Sequence, residues 1–211
     1  LGTYGDFGTY SFFYSHQITS GEGGMITCHN KEDYELLVSL RSHGWSRSNN
    51  KNEYKKVAKK YPKLDPRYIF INQGFNLRPT DVQAAMGLNQ FERLDKFINI
   101  RINNRKKIIE SLKKDPRWKN QYRFIQVPKN IEPSFMGLPI FLNENMTKEI
   151  KTKLLLYLEA KGIETRPILT GNFLNQPSIK LFGLNNEKLK FKGAQSIEDL
   201  GFLIGLHTKK I

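Results

Sequence analysis

The sequence predicts an α/β chain in two parts. Three observations lead there. A strand–turn–strand–helix order fills the first forty residues. A long apolar stripe at helical spacing follows from Val82. Strands and helices then alternate to the end. The boundaries drawn are 1–94, an α/β part ahead of the long helix, and 95–211, a smaller C-terminal α/β domain.

Thr9 to Tyr14 is rich in β-branched and aromatic residues and reads as a buried strand. Gly21 to Gly24 reads as a turn, and Met25 to His29 as a second strand. Asn30 is placed to cap a helix from Lys31 to about His43, with Gly44 as its stop. Ser46 to Pro66 is polar, lysine-rich and weakly periodic, which predicts a surface loop. Thr80 and Gln83 form a capping-box pattern in TDVQ. The stripe Val82, Ala85, Met86, Leu88, Phe91, Leu94, Phe97, Ile98 predicts one helix running to about Leu112, ended by Asp115-Pro116. Arg123 to Val127 and Gly137 to Leu142 read as strands. Lys148 to Lys161 reads as a helix stopped by Gly162, and Ile163 to Arg166 as a strand start.

Composition narrows the function classes. The 211 residues include 38% hydrophobic side chains, 14 Phe and 9 Tyr, enough for a packed core. Cys28 is the single cysteine, so one chain can build neither an internal disulfide nor a four-cysteine metal site. A lone thiol fits a reducing cytosol, and the cytoplasm is the expected compartment. No apolar run reaches a membrane span, and neither a membrane nor a metal is expected as a partner. The net charge is +14, but its lysines are scattered over KKVAKK, RKK, KEIKTK and KLKFK. That favours solvated faces over a nucleic-acid surface, and no nucleic acid is expected. A basic nucleic-acid-binding module is the distant alternative.

The chemistry centres on SFFYSHQITSGEGGMITC, Ser11 to Cys28. A strand runs into His16 and then into a glycine-rich turn. Glycines beside a strand end let backbone approach a ligand, and the Ser11 hydroxyl suits a phosphate. By local pattern alone, GEGG also fits a plain hairpin and His16 a structural role.

The order of motifs adds to this. GTYGDFGTYSFFYSHQITSGEGGMI, LRSHGWSR, GFNLRPTDVQAAMGLNQFERLDKF and GIETRP together resemble the DegT/DnrJ/StrS sugar aminotransferase and dehydratase family. The resemblance implies a fold type I pyridoxal-phosphate (PLP) transferase, here a partial large domain plus the smaller C-terminal domain. Most of that family has a lysine where His16 stands, and that lysine binds the cofactor covalently. Imidazole has no primary amine and cannot do so, but it can serve as a base. The substitution, with ETRPILTGNFLNQPS, is similar to the branch of GDP-4-keto-6-deoxymannose 3-dehydratases.

That branch implies pyridoxamine phosphate (PMP) or PLP as cofactor, a nucleotide-linked 4-keto sugar as substrate, glutamate as amino donor and a homodimer. The reaction implied is removal of the sugar's C3 hydroxyl in cell-surface polysaccharide or deoxysugar biosynthesis. The alternative is a nucleotide-sugar aminotransferase. By resemblance His16 is the base, Ser11 a cofactor-phosphate ligand, Asn76 a ligand to the neighbouring subunit's cofactor phosphate, and Arg78 and Arg166 are substrate-anion contacts. Asn76 also fits a turn residue before a helix. WSRSNNKNEYKK holds no cysteine, so no iron–sulfur cluster is expected. His43 and Trp45 receive no chemical role, and His29 and His207 read as structural or exposed. The resemblance further implies that a preceding segment supplies the aspartate at the pyridine nitrogen and the ring-stacking aromatic, so this chain is expected to be a fragment, inactive and without cofactor in isolation.

Overall fold

A computed structural model describes residues 2–48, 51–183 and 191–211. The chain divides into two compact units, Leu1–Leu94 and Asp95–Ile211.

The first unit opens with an antiparallel hairpin, β1 (Phe7–Ser11) and β2 (Gly24–Cys28), in register from Phe7↔Cys28 to Ser11↔Gly24. One further bond, from Phe12 N to Gly23 O, extends the pairing past Ser11. The strand therefore ends earlier than the apolar run Phe12–Tyr14 predicts. Phe12 and Phe13 lead into a bend instead.

Helix α1 (Lys31–Leu40) starts where Asn30 places its carbonyl oxygen on the Asp33 amide at 2.8 Å. Its first turn carries Glu32 and Asp33, which suit the positive end of the helix dipole. The lysine-rich segment after it is not a loop, as its weak periodicity predicts. It folds as α2 (Lys51–Lys60), with Tyr54, Val57 and Ala58 half-buried and its lysines exposed. Three apolar residues on one face suffice for ten residues, and straight-chain lysines favour helix strongly. A 3-10 turn (Pro66–Tyr68), capped by Asp65, closes this excursion.

The long helix expected from Val82 onward is two helices, α3 (Asp81–Phe91) and α4 (Leu94–Lys114). The chain tightens where Arg93 N donates to Gln90 O, an i→i+3 bond, and Leu94 begins a fresh helix with Asp95 in its first turn. The Thr80–Gln83 capping box is formed in both directions.

The second unit is a four-stranded antiparallel sheet in the order β3-β4-β6-β5. Its strands are β3 (Tyr122–Phe124), β4 (Gly137–Leu142), β5 (Thr165–Arg166) and β6 (Gly201–Gly205). Leu142 stands opposite Tyr122, Ile140 opposite both Phe124 and Phe202, and Leu138 opposite Ile204. Alternation along the strands puts these on one face. There Leu138, Ile140, Leu142 and Phe202 form a core with Leu200 and Leu206, joined by Ile108 and Ile109 of α4. Helix α5 (Lys148–Ala160) adds Leu154, Leu155 and Leu158. It ends as Gly162 takes φ +79°.

Helix α6 (Lys192–Leu200) and β6 carry no element in the sequence reading. Only Ile197 and Leu200 are large apolar residues in α6, too few to mark a period. Lys151 of α5 is buried and donates its ammonium to the Glu198 and Gly201 carbonyls. Burial and then the nearby Lys148 pull its pKa below the usual lysine range. No described helix is long and apolar enough to cross a membrane.

Candidate active site

The site begins in the connection between β1 and β2. Ser20 N and Thr19 Oγ1 both donate to Phe12 O, at 3.0 and 3.3 Å, and Ser20 Oγ donates to Glu22 O at 2.9 Å. These bonds fold the segment from Phe12 to Gly23 back on itself.

His16 sits in the bend of that connection, half-buried, five residues past the strand end rather than on it. Its amide donates to Phe13 O at 3.0 Å, and its ring meets the Phe13 ring edge-on at 5.7 Å. Its Nδ1 lies 3.3 Å from Ser11 O. A backbone carbonyl only accepts, so this contact requires the proton on Nδ1. In the neutral ring the lone pair is then on Nε2, to which no described group bonds. Ser11, exposed at the strand end, receives the Phe13 amide on Oγ at 3.4 Å. The structure thus brings Ser11 and His16 together.

Asn76 and Arg78 stand on a separate segment of the same unit, and both are exposed. Residues 75–77 run antiparallel to 40–43. His43 N donates to Phe75 O at 2.7 Å, Phe75 N to Leu40 O at 2.6 Å and Leu77 N to Arg41 O at 2.9 Å. Asn76 pairs as a bridge with Ser42. No hydrogen bond among the described residues joins Asn76 or Arg78 to Ser11 or His16. Arg166 lies in the second unit, on β5, paired through Nη2 with Glu164 at 2.9 Å; both side chains are largely exposed.

One residue absent from the sequence reading of the site braces it. Gln83 accepts the Thr80 amide on Oε1 at 2.8 Å, and its Nε2 donates to Glu22 O at 2.9 Å. The capping box of α3 is therefore also the tie that holds the turn after His16. The TDVQ pattern gave the cap, but a contact spanning 61 residues has no local signal. His29 and His207 have structural contacts, to Gly5 O and from Lys209 N, each at 3.0 Å. No cluster of metal-ligating side chains occurs among the described residues.

The groups brought together here are the Ser11 hydroxyl and the His16 imidazole, and a hydroxyl beside an imidazole is chemically compatible with a phosphorylated ligand and a base.

The family model for the DegT/DnrJ/EryC1/StrS aminotransferase family matches residues 1–209. The chain belongs to that family. It is 31% identical over 206 residues to a GDP-4-keto-6-deoxy-D-mannose 3-dehydratase of Escherichia coli O55:H7, covering 98% of this chain and 51% of that protein. The solved E. coli GDP-4-keto-6-deoxy-D-mannose-3-dehydratase with bound hydrated PLP superposes with a TM-score of 0.79 at 29% identity. It covers all of this chain, which spans 52% of that one. A structure of GDP-4-keto-6-deoxymannose-3-dehydratase with a trapped PLP-glutamate geminal diamine gives 0.78 at 27% identity, covering 100% of this chain and 53% of that one. The chain spans about half the length of the relatives it matches. Its fold is the PLP-dependent aminotransferase fold in part.

Proposed function

We propose that this chain carries the base and part of the phosphate site of a PMP/PLP-dependent nucleotide-sugar 3-dehydratase. The observation that carries the reading is His16, held by Ser11 O with Nε2 open, where a lysine would bind the cofactor covalently. The names of the most similar relatives support the same reaction.

When bound, PMP supplies an amine for the 4-keto group and an electron sink for loss of the C3 hydroxyl. His16 takes a proton at Nε2, with Nδ1–H kept on the Ser11 carbonyl so that the ring stays oriented. The Ser11 hydroxyl donates to the cofactor phosphate. Asn76 donates to the phosphate in the neighbouring subunit, which makes a homodimer the working assembly; two-fold dimers are the commonest closed oligomers. Arg78, on the unit that carries His16, offers a planar guanidinium group to a substrate anion. Residues 1–94 then belong to the cofactor-binding domain and 95–211 to the small domain.

The substrate class is a nucleotide-linked 4-keto sugar. Glutamate is the amino donor, a choice supported by the glutamate adduct in the solved relative. The assigned compartment is the cytoplasm, in keeping with one unpaired thiol, Cys28.

The test uses a polypeptide spanning the family's full length, mixed with PMP, a 4-keto nucleotide sugar and glutamate. Release of ammonia with a 3-deoxy product is expected. Accumulation of a stable amino sugar instead would establish the alternative, a sugar aminotransferase.

A further inference from the structure

The segment that carries Asn76 and Arg78 is exposed, yet its placement is set from a buried point several residues away. Asn72 Nδ2 donates to Ser39 Oγ at 3.0 Å. Ser39 is fully buried on α1, at 0% exposure. A hydroxyl without solvent gains from an internal partner, and loss of the Asn72 amide costs more there than on a surface.

The backbone around this bond is packed too closely to slide. His43 takes φ +64° and Gly44 φ +78°. A Cβ at Gly44 would fall 1.7 Å from Asn72 O, and one at Gly74 would fall 2.1 Å from Gly44 N. Gly44 O accepts the amides of Ile71 and Asn72 at 2.8 and 3.3 Å. Four residues past Asn72, the chain is already paired with 40–43 and presents Asn76.

We propose that Ser39 and Asn72 are a positioning pair for Asn76, setting cofactor-phosphate affinity without touching the ligand. The pair fixes the register in which 69–77 lies on the 39–45 segment. This rests on the anion role given above to Asn76.

The test uses Ser39→Ala and Asn72→Leu, with Asn76→Ala as reference, in the full-length polypeptide. Two readouts are taken. In the protein without cofactor, hydrogen exchange at the His43 and Leu77 amides should quicken in both positioning variants, because those amides hold the paired segments. In PMP titrations, Kd should rise by about tenfold in each variant, while kcat at saturating PMP holds because His16 is untouched. The effect should vanish in an Asn76→Ala background. Ser39→Ala removes a single oxygen and serves as the milder variant should Asn72→Leu fold poorly. If Asn76→Ala weakens PMP and Ser39→Ala and Asn72→Leu do not, the positioning proposal is overturned and the anion role stands. If Asn76→Ala leaves PMP affinity unchanged, both are overturned.

Discussion

Replacing Asn104 by Ala should open one end of the second unit. Asn104 lies on α4 and is 2% exposed. Its Nδ2 donates to His207 O at 3.0 Å and to Lys209 O at 2.7 Å, and its Oδ1 accepts the Ile211 amide at 3.3 Å. One carboxamide thus holds three backbone groups of residues 207–211. Each such bond contributes about 1 kcal/mol net, so their joint loss costs roughly 3 kcal/mol. Each 1.4 kcal/mol is tenfold in an equilibrium constant, so hydrogen exchange at the Ile211 amide should quicken by about 100-fold. The Ile204 amide, in the sheet, serves as the unchanged control. Asn104→Asp keeps the size and the acceptor but turns a carboxylate toward two carbonyls. It should therefore loosen the segment at least as much. Native exchange at Ile211 in Asn104→Ala would refute the assignment of these bonds as what holds 207–211.

Three further outcomes are expected. Lys151→Met takes the ammonium donor from the Glu198 and Gly201 carbonyls and should cost about 1–3 kcal/mol, read by urea unfolding of Trp118 fluorescence in a Trp45→Phe background; an unchanged midpoint would contradict it. Thr80→Ala removes one half of the α3 capping box and should cost about 1 kcal/mol by thermal unfolding. Hydrogen bonds from Arg67 pull the Asp65 carboxyl down to about 2, so this pairing is fully present above the ordinary carboxylate range and lost as pH falls through about 2; Arg67→Met should return the Asp65 titration toward 3.8, followed by carboxyl NMR shifts.

Local signals carried much of this fold. Asn30, and Thr80 with Gln83, each cap the helix that begins at the next residue, because capping depends on side chains within three residues. The run Gly137–Leu142 is the inner strand β4 with the predicted bounds, since an apolar stretch between turn residues has few other uses. Helix α2 was hidden because its stability comes from packing three side chains, not from a visible period. The break between α3 and α4 was hidden because the apolar stripe passes through it unbroken. His16 and Ser11 were singled out through motif order, and their contact needs only the bend between them. The Gln83–Glu22 and Asn72–Ser39 bonds join residues 61 and 33 positions apart, and pairings of that range come from the fold rather than from neighbouring sequence.

In the proposed function, His16 moves the proton that permits loss of the C3 hydroxyl. The most direct measurement is the single-turnover dehydration rate of His16→Asn, in a polypeptide spanning the family's full length and saturated with PMP. Asparagine can keep a hydrogen bond to the Ser11 carbonyl but has no basic nitrogen. PMP should still bind with near-native affinity, and elimination should fall by roughly 10²-fold or more. Elimination at the native rate with PMP bound would contradict it.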